Sequence, residues 1–334
     1  MNASFRFLEP GEGQILSDAI RAAYGDTYDL AWVYDSERVS ARLADGTYIS
    51  CVAETPGGEL LCHAGLSRTH RDDAVGHSGQ AVTTPAARGH HLFTQTKQHL
   101  MDRARREGMA GMYSEATAAH PYSQRANVQL GAMETGFLLG WIPASVDNDA
   151  ADAGAASGRR RRQSAALFYS KLANGRDRPV HAPTRHRAIV ERTIHACRLR
   201  GSPCEPEPGA EAPERTRFDL ELHPDHGLAV LTVHEPGADL EPALAAERHH
   251  HFHHGLDAIY FDLPLDHPAT ALTSGHLERL GVSYAGIFPN SRADGDVIRF
   301  QSLHRVRISA DDVAVASEHG QEILDYVLAD LPQA

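Results

Sequence analysis

The chain has 334 residues, long enough for two domains of ordinary size, each with its own core. A formal net charge of -12 and a pI near 6.0 argue against a general affinity for nucleic acid, whose phosphate backbone selects basic surfaces, and point to small-molecule chemistry. No apolar run is long enough to cross a bilayer, and Met1-Asn2-Ala3-Ser4-Phe5 lacks the basic and apolar regions of a signal peptide, so the expectation is a cytoplasmic protein without membrane contact.

In chain order, Ser4 to Leu8 reads as a short strand and Gly11 to Tyr24 as a helix with Ile15, Ala19, Ile20 and Ala23 on one face. Ser36 to Leu43 suggests a second helix. Two apolar runs, Tyr48 to Ala53 and Leu60 to Leu66, flank Pro56-Gly57 as a hairpin, which lets Cys51 and Cys62 face each other as buried thiols. An exposed loop is expected from Thr69 to His77, then a strand from Gln80 to Thr84 that feeds a glycine-containing turn. From Leu92 to Ala104, Leu92, Phe93, Thr96, Leu100, Met101 and Ala104 fall at helical spacing, with Lys97, Gln98, Asp102, Arg103 and Arg106 assigned to the polar side. Gly108 stops this helix, Met109 to Thr117 is a strand, Pro121 opens a helix that Gly131 ends, and Met133 to Pro143 is a strand. The turn before the long helix can hold an anion, because free N–H groups at a helix N-terminus point outward there.

The stretch from Asp147 to Gln163, rich in Ala, Asp and Gly and carrying Arg159-Arg160-Arg161-Arg162, reads as a mobile, solvated hairpin loop before a strand at Ala165 to Ser170. Leu172 to Arg178 is a linker, Pro183 to Leu199 a helix, and Gly201 to Pro213 a Pro- and Glu-rich connection. Landmarks of the first half then recur. Val82-x-x-Pro85 is matched by Val233-x-x-Pro236, and Leu130-Gly131 with Gly136-Phe137 by Leu280-Gly281 with Gly286-Ile287, which indicates a domain-scale repeat. Where the first copy has Arg88-Gly89-His90-His91 the second has Asp239-Leu240-Glu241-Pro242, whose carboxylates repel an anion and whose proline lacks an N–H. The expectation is therefore an anion site in the first copy alone. The cluster His249, His250, His251, His253 and His254 contains i, i+4 pairs, but with no acidic or Cys ligand matched to it no metal is expected.

With strand, turn, long helix and repeat in place, the chain resembles the GNAT-type N-acyltransferases. Their signature is an Arg/Gln-x-x-Gly-x-Gly/Ala turn; Arg88 matches its first position, while His91 and Phe93 stand where the glycines would be. The resemblance covers about Ser4 to Lys171 and continues weakly over Arg217 to Leu303. It implies an α/β (α+β) fold of two tandem domains, each a mixed central sheet flanked by helices: an acyltransferase domain at 1–173 with its mobile loop at 147–163, and a degenerate copy at 179–334. It also implies an acyl-CoA donor, acetyl-CoA in the first place, with the backbone of Val82, Thr83 and Thr84 pairing with the pantetheine arm and the amides of Arg88, Gly89, His90, His91 and Leu92 meeting the phosphates. The acceptor is then the amine of a small molecule, attacking the thioester directly in a ternary complex, with neither covalent nucleophile nor metal, in a monomer or homodimer.

For the base, Glu115 is the first choice, since a carboxylate on a strand covered on both faces needs a partner or a task; His120 is the second, since its ordinary pKa suits proton transfer near neutrality. The family's acid is a Tyr one turn before the glycine of the Gly131 step, where this chain has Asn127, so the role is either absent or moved to Tyr122 or Ser123. Two other readings stay open: a donor that is aminoacyl-tRNA on the same fold, or a non-catalytic sensor or interaction module.

Overall fold

The computed structural model describes residues 2–28, 30–146, 161–175, 177–206, 209–292 and 295–332. The first half runs β1 (Ser4–Phe7), α1 (Gly13–Tyr24), α2 (Ser36–Asp45), β2 (Tyr48–Glu54), β3 (Leu60–Ser67), β4 (Val75–Thr83), α3 (Leu92–Arg106), β5 (Gly111–Thr117), α4 (Tyr122–Gln129), β6 (Met133–Ile142) and β7 (Gln163–Lys171). A small parallel pair, β8 (Pro179–Val180) and β9 (Ser202–Pro203), brackets α5 (Arg187–Ala196). The second half runs β10 (Arg217–His223), β11 (Leu228–Glu235), α6 (Leu240–His253), β12 (Ala258–Pro264), α7 (Pro268–Thr273), β13 (Ser283–Phe288), β14 (Val297–Leu303) and α8 (Glu318–Ala329).

Local chemistry accounts for these elements. Every residue of β2 and of β12 is buried, which is why both are mainly apolar on both faces rather than alternating, with Ser50, Glu54 and Asp262 as buried polar exceptions. The Asp35 carboxylate accepts from the N–H groups of Glu37 and Arg38 and so caps α2. On α3, Leu100, Met101 and Ala104 pack on Ile49, Cys51, Ala64 and Leu66 of the β2–β3 hairpin. Against expectation, Val75 to His77 are not loop but the start of β4, where they pair in parallel with Gly111 to Tyr113. Cys51 is paired with Ala64 and Cys62 with Ala53, so the two thiols lie diagonally on one face instead of opposite each other. A register shift at Ala53/Glu54 defeats the sequence symmetry about Pro56-Gly57. Both thiols are free, and burial pushes Cys51 up to about 12.

The two mixed sheets that the repeat implied join edge to edge. Their order is β1-β2-β3-β4-β5-β7-β6-β13-β14-β12-β11-β10, twelve strands in one sheet. From β3 to β10 this order reads as a palindrome about the β6/β13 contact, with β4 matched by β11, β5 by β12, and β7 by β14. In each copy the first of these pairs is parallel and the following contacts antiparallel. The recurring glycines lie at the centre: Gly136 is the partner of Gly286. A Cβ on Gly136 would sit 2.2 Å from the Ala285 carbonyl oxygen and 2.5 Å from the Gly286 Cα. What recurs in the sequence is thus the residue that lets the copies meet. Side chains cross the same seam, with the Tyr260 hydroxyl donating to the Leu139 carbonyl (2.8 Å) and Leu139 N–H to Gln301 Oε1 (2.9 Å).

One face of the sheet carries α3 on the first copy and a shared core beneath α5, α6 and α8, in which Ala116, Phe137 and Phe168 meet Ile189, Leu244, Ile259, Phe261 and Leu324. On the other face, α1 and α2 cover β2 to β4 through Leu16, Ile20, Val39, Tyr48 and Val82. The loop expected at 147–163 lies mostly outside the described residues, and Gln163 opens β7. Arg162 is not solvated: its Nε donates to the Gly140 carbonyl at 2.7 Å and its Nη1 to the His226 carbonyl and the Asp257 carboxylate, tying the β6–β7 hairpin to the second copy.

Candidate functional site

Past His77 and Tyr113, β4 and β5 separate. A bulge at Gln80, which takes a left-handed φ of 50°, turns β4 away, and the gap opens into a cleft of about 1370 Å³. This exceeds the ~300–1,000 Å³ typical of sites for drug-sized ligands. In the second copy β11 and β12 stay paired from Leu228/Ala258 to Thr232/Asp262.

The cleft is lined on one side by Ala81 to Thr83 of β4 and the following Thr84 and, at its mouth, by Arg88, Gly89, His91 and Leu92, with α1 and the β2–β3 hairpin opposite, His120 ahead of α4, and Tyr122, Ser123 and Arg125 in its first turn. It therefore brings together Val82, Thr83, Thr84, Arg88, Gly89, His91, Leu92, His120, Tyr122 and Ser123 from the expected set. His90 lies in the same turn but does not line the cleft, and neither does Glu115. Glu115 points, by strand alternation, to the same face as Thr117, which does line it. One Glu115 oxygen lies 3.8 Å from His77 Nε2, and both side chains are largely buried.

The turn has the anatomy of an anion cradle. Gly89 takes φ 79° and His91, the residue before α3, takes φ 57°. A histidine thus adopts the left-handed geometry that glycine favours, and its exposed side chain leaves the backbone path intact. Arg88 N–H bonds the Pro85 carbonyl and Gln95 N–H the His91 carbonyl; between them the N–H groups of residues 89 to 94 have no acceptor among the described residues. Arg88 and Arg125 are exposed at the rim. His91→Gly removes the left-handed penalty but adds backbone freedom to the unfolded chain. Its expected net effect on stability is within about 1 kcal/mol, as urea denaturation will read.

The second copy closes the same place. Its turn is shorter, with α6 starting at Leu240, so Glu241 and Pro242 belong to the first helical turn rather than to the loop as the sequence comparison had them. Gly237 N–H is taken by the Thr216 hydroxyl, Ala238 N–H by the Pro213 carbonyl and Leu240 N–H by the Gly237 carbonyl. A Cβ on Gly237 would lie 2.3 Å from the Arg215 backbone, so the strand-leading segment itself fills the groove. Within the histidine cluster, His251 is paired with Glu247 at 3.2 Å, an acidic partner the sequence reading had not matched to it, and His254 Nδ1 lies 2.7 Å from the His250 carbonyl. The described residues contain no group of three or more metal-ligating side chains.

Among the described residues, His120 Nδ1, Ser123 Oγ and Gln124 Oε1 are buried without a hydrogen-bond partner, and His120 and Ser123 line the cleft. Tyr122, in contrast, is 57% exposed. Asn127 turns inward, where its Oδ1 accepts a hydrogen bond from Lys97 Nζ, which also donates to Ser114 Oγ at 3.3 Å. Lys97 is 2% exposed, so its assignment to the polar face of α3 was wrong. The signal was present: Phe93, Lys97, Leu100 and Ala104 follow the i, i+4, i+7, i+11 stripe of a buried face. Arg125 was missed too, because only the placement of α4 brings it to the rim.

Burial alone lowers the Lys97 amine to about 7. In the unfolded chain the same amine holds its proton up to about 10.4, so between these values the unfolded state binds more protons and stability rises with pH. The burial cost is fully present below pH 7 and relieved as pH rises through that window, by up to about 1.4 kcal/mol per pH unit. Denaturation of Lys97→Met at pH 7 and pH 9.5 should show a variant more stable than the parent at pH 7 and lacking this slope.

No family model matches the sequence, and no curated protein matches it either. Comparison of folds finds solved acetyltransferases that each span about half of the chain. A putative acetyltransferase, yncA, from Salmonella typhimurium with its cofactor acetyl-CoA is 18% identical, with 53% of this chain and 97% of that one covered at a TM-score of 0.40. A GNAT superfamily phosphinothricin acetyltransferase from Sinorhizobium meliloti in complex with AcCoA is 18% identical over 52% of this chain and 91% of that one, TM-score 0.41. The spermidine/spermine N-acetyltransferase SpeG from Vibrio cholerae is 13% identical over 51% and 94%, TM-score 0.41.

Proposed function

We propose that the chain is an N-acyltransferase that moves an acyl group, acetyl in the first place, from acyl-CoA to the amine of a small molecule, with the first copy (1–173) active and the second (179–334) supporting it. The observation that carries this reading is the row of N–H groups from residue 89 to 94 that make no close hydrogen bond among the described residues, at the mouth of a cleft between two parted parallel strands. The fit to a diphosphate is good: nothing lies within 4 Å of the position a Gly89 Cβ would take, and Arg88 and Arg125, both exposed, line the cleft. Residues 89 to 94 would hold the phosphates, with Arg88 and Arg125 as counter-charges, and the backbone of Val82 to Thr84 would pair with the arm that follows. When bound, such a donor supplies the thioester that the amine attacks.

The chain's own residues orient the amine and handle protons. Glu115, backed by His77, is the proposed base for the attacking amine, with His120 as the alternative inside the cleft. Ser123, whose hydroxyl is buried and unpartnered, suits the return of a proton to the leaving sulfur better than the exposed Tyr122. The acidic total argues for an acyl-CoA donor rather than aminoacyl-tRNA. No helix among the described residues is long and apolar enough to cross a membrane. Incubation of the full chain with acetyl-CoA and a panel of small amines, scored by free-thiol release, tests the reading: amine-dependent release supports it, and release no faster than hydrolysis across the panel counts against it.

A further inference from the structure

Lys97 is a buried lysine without a buried counter-ion. Its ammonium or amine sits between three elements and touches only neutral groups, the Ser114 hydroxyl of β5 and the Asn127 carboxamide of α4. Its neighbours one turn away on α3, Phe93, Thr94, Leu100 and Met101, are not titratable. On β3, Cys62 beside Thr83 is held as a thiol by burial, which raises its pKa. No charged group among the described residues acts on Lys97; burial is the single influence on its protonation. Buried charges are ordinarily paired, so an amine kept this way costs stability unless something else uses it.

Position suggests the use. Lys97 follows the last cradle residue by one helical turn, and five residues separate it from Leu92, a rise of about 7.5 Å along the axis. Asn127, its partner, follows Ser123 of the cleft by one turn of α4. A negative group in the cleft would therefore lie roughly 10 Å from the amine through protein interior, where one unit charge favours protonation on the order of tenfold.

We propose that Lys97 is the internal counter-charge of the cleft: a buried amine that takes up a proton from solvent when a diphosphate-bearing donor binds. This rests on the acyl-CoA reading above. The amine is neutral for a large part of the time in the empty protein because burial lowers it to about 7, and the arriving anion reverses that balance. No covalent step is involved. One proton moves from buffer to Nζ, and it returns when the anion leaves.

Calorimetric titration of coenzyme A into the full chain at pH 8, in Hepes and in Tris, measures the proton taken up from the dependence of the heat on the buffer's ionisation enthalpy. The expected result is uptake of about half a proton or more per bound molecule in the parent protein. Lys97→Met and Lys97→Gln, each checked for cooperative unfolding, should bind coenzyme A with that uptake removed. Binding with no uptake in the parent, or equal uptake in folded Lys97 variants, overturns the proposal while leaving the acyl-CoA reading standing. Absence of coenzyme A binding in the parent overturns both.

Discussion

Gly136→Ala is expected to destabilise the protein by about 3 kcal/mol, a large effect for one methyl group. The new Cβ would meet the Ala285 carbonyl oxygen at 2.2 Å and the Gly286 Cα at 2.5 Å, and both are backbone atoms of the facing strand. A side chain could swing aside; β13 cannot, because it is also paired with β14 and covered by α5 and α8. Relief requires parting β6 from β13, which breaks the continuous sheet and the Tyr260–Leu139 and Leu139–Gln301 hydrogen bonds across it. Gly57→Ala is the matched control, since its Cβ would meet only the Thr55 hydroxyl at 3.7 Å, and its effect should stay within about 0.5 kcal/mol. Urea denaturation of both variants gives the comparison. Equal midpoints would mean that the glycines are not what lets the copies join.

Glu115→Gln should lower turnover by about 10²-fold or more, the usual contribution of a positioned general base, while leaving acetyl-CoA binding within a factor of about two. The reasoning is positional. Glu115 lies outside the cleft lining, so the donor loses no contact, yet it shares a face of β5 with Thr117 and is held against His77. Glutamine keeps the shape and removes the proton acceptor. If kcat is unchanged in Glu115→Gln and falls instead in His120→Gln, the base is the cleft histidine. Changes in KM alone for both would remove each from the chemistry.

The architecture was legible where local chemistry decides it: α3 from its apolar period, the hairpin from its Pro-Gly turn, and the tandem arrangement from recurring Val-x-x-Pro and Leu-Gly landmarks. The palindromic sheet was not, because the edge contact of β6 with β13 depends on what two backbones can approach, and the sequence shows only that a glycine recurs. The turn at residues 88 to 92 is legible ahead of α3 because a glycine and a helix start coincide there. Its conformation is not, since a histidine in the left-handed region carries no signature in composition. Lys97 was misplaced because charge was allowed to overrule periodicity. The stripe through Phe93 and Leu100 had the correct face, and tertiary burial rather than residue type determined the outcome.

The central claim is that the turn at 89 to 94 receives the phosphates of an acyl-CoA, and titration of the full chain with acetyl-CoA, followed by calorimetry and by the melting temperature, tests it most directly. The account predicts saturable binding, a melting temperature that rises with ligand concentration, and affinity weakened by Arg88→Ala and Arg125→Ala. Absence of both heat and a melting shift up to ~1 mM ligand would contradict it.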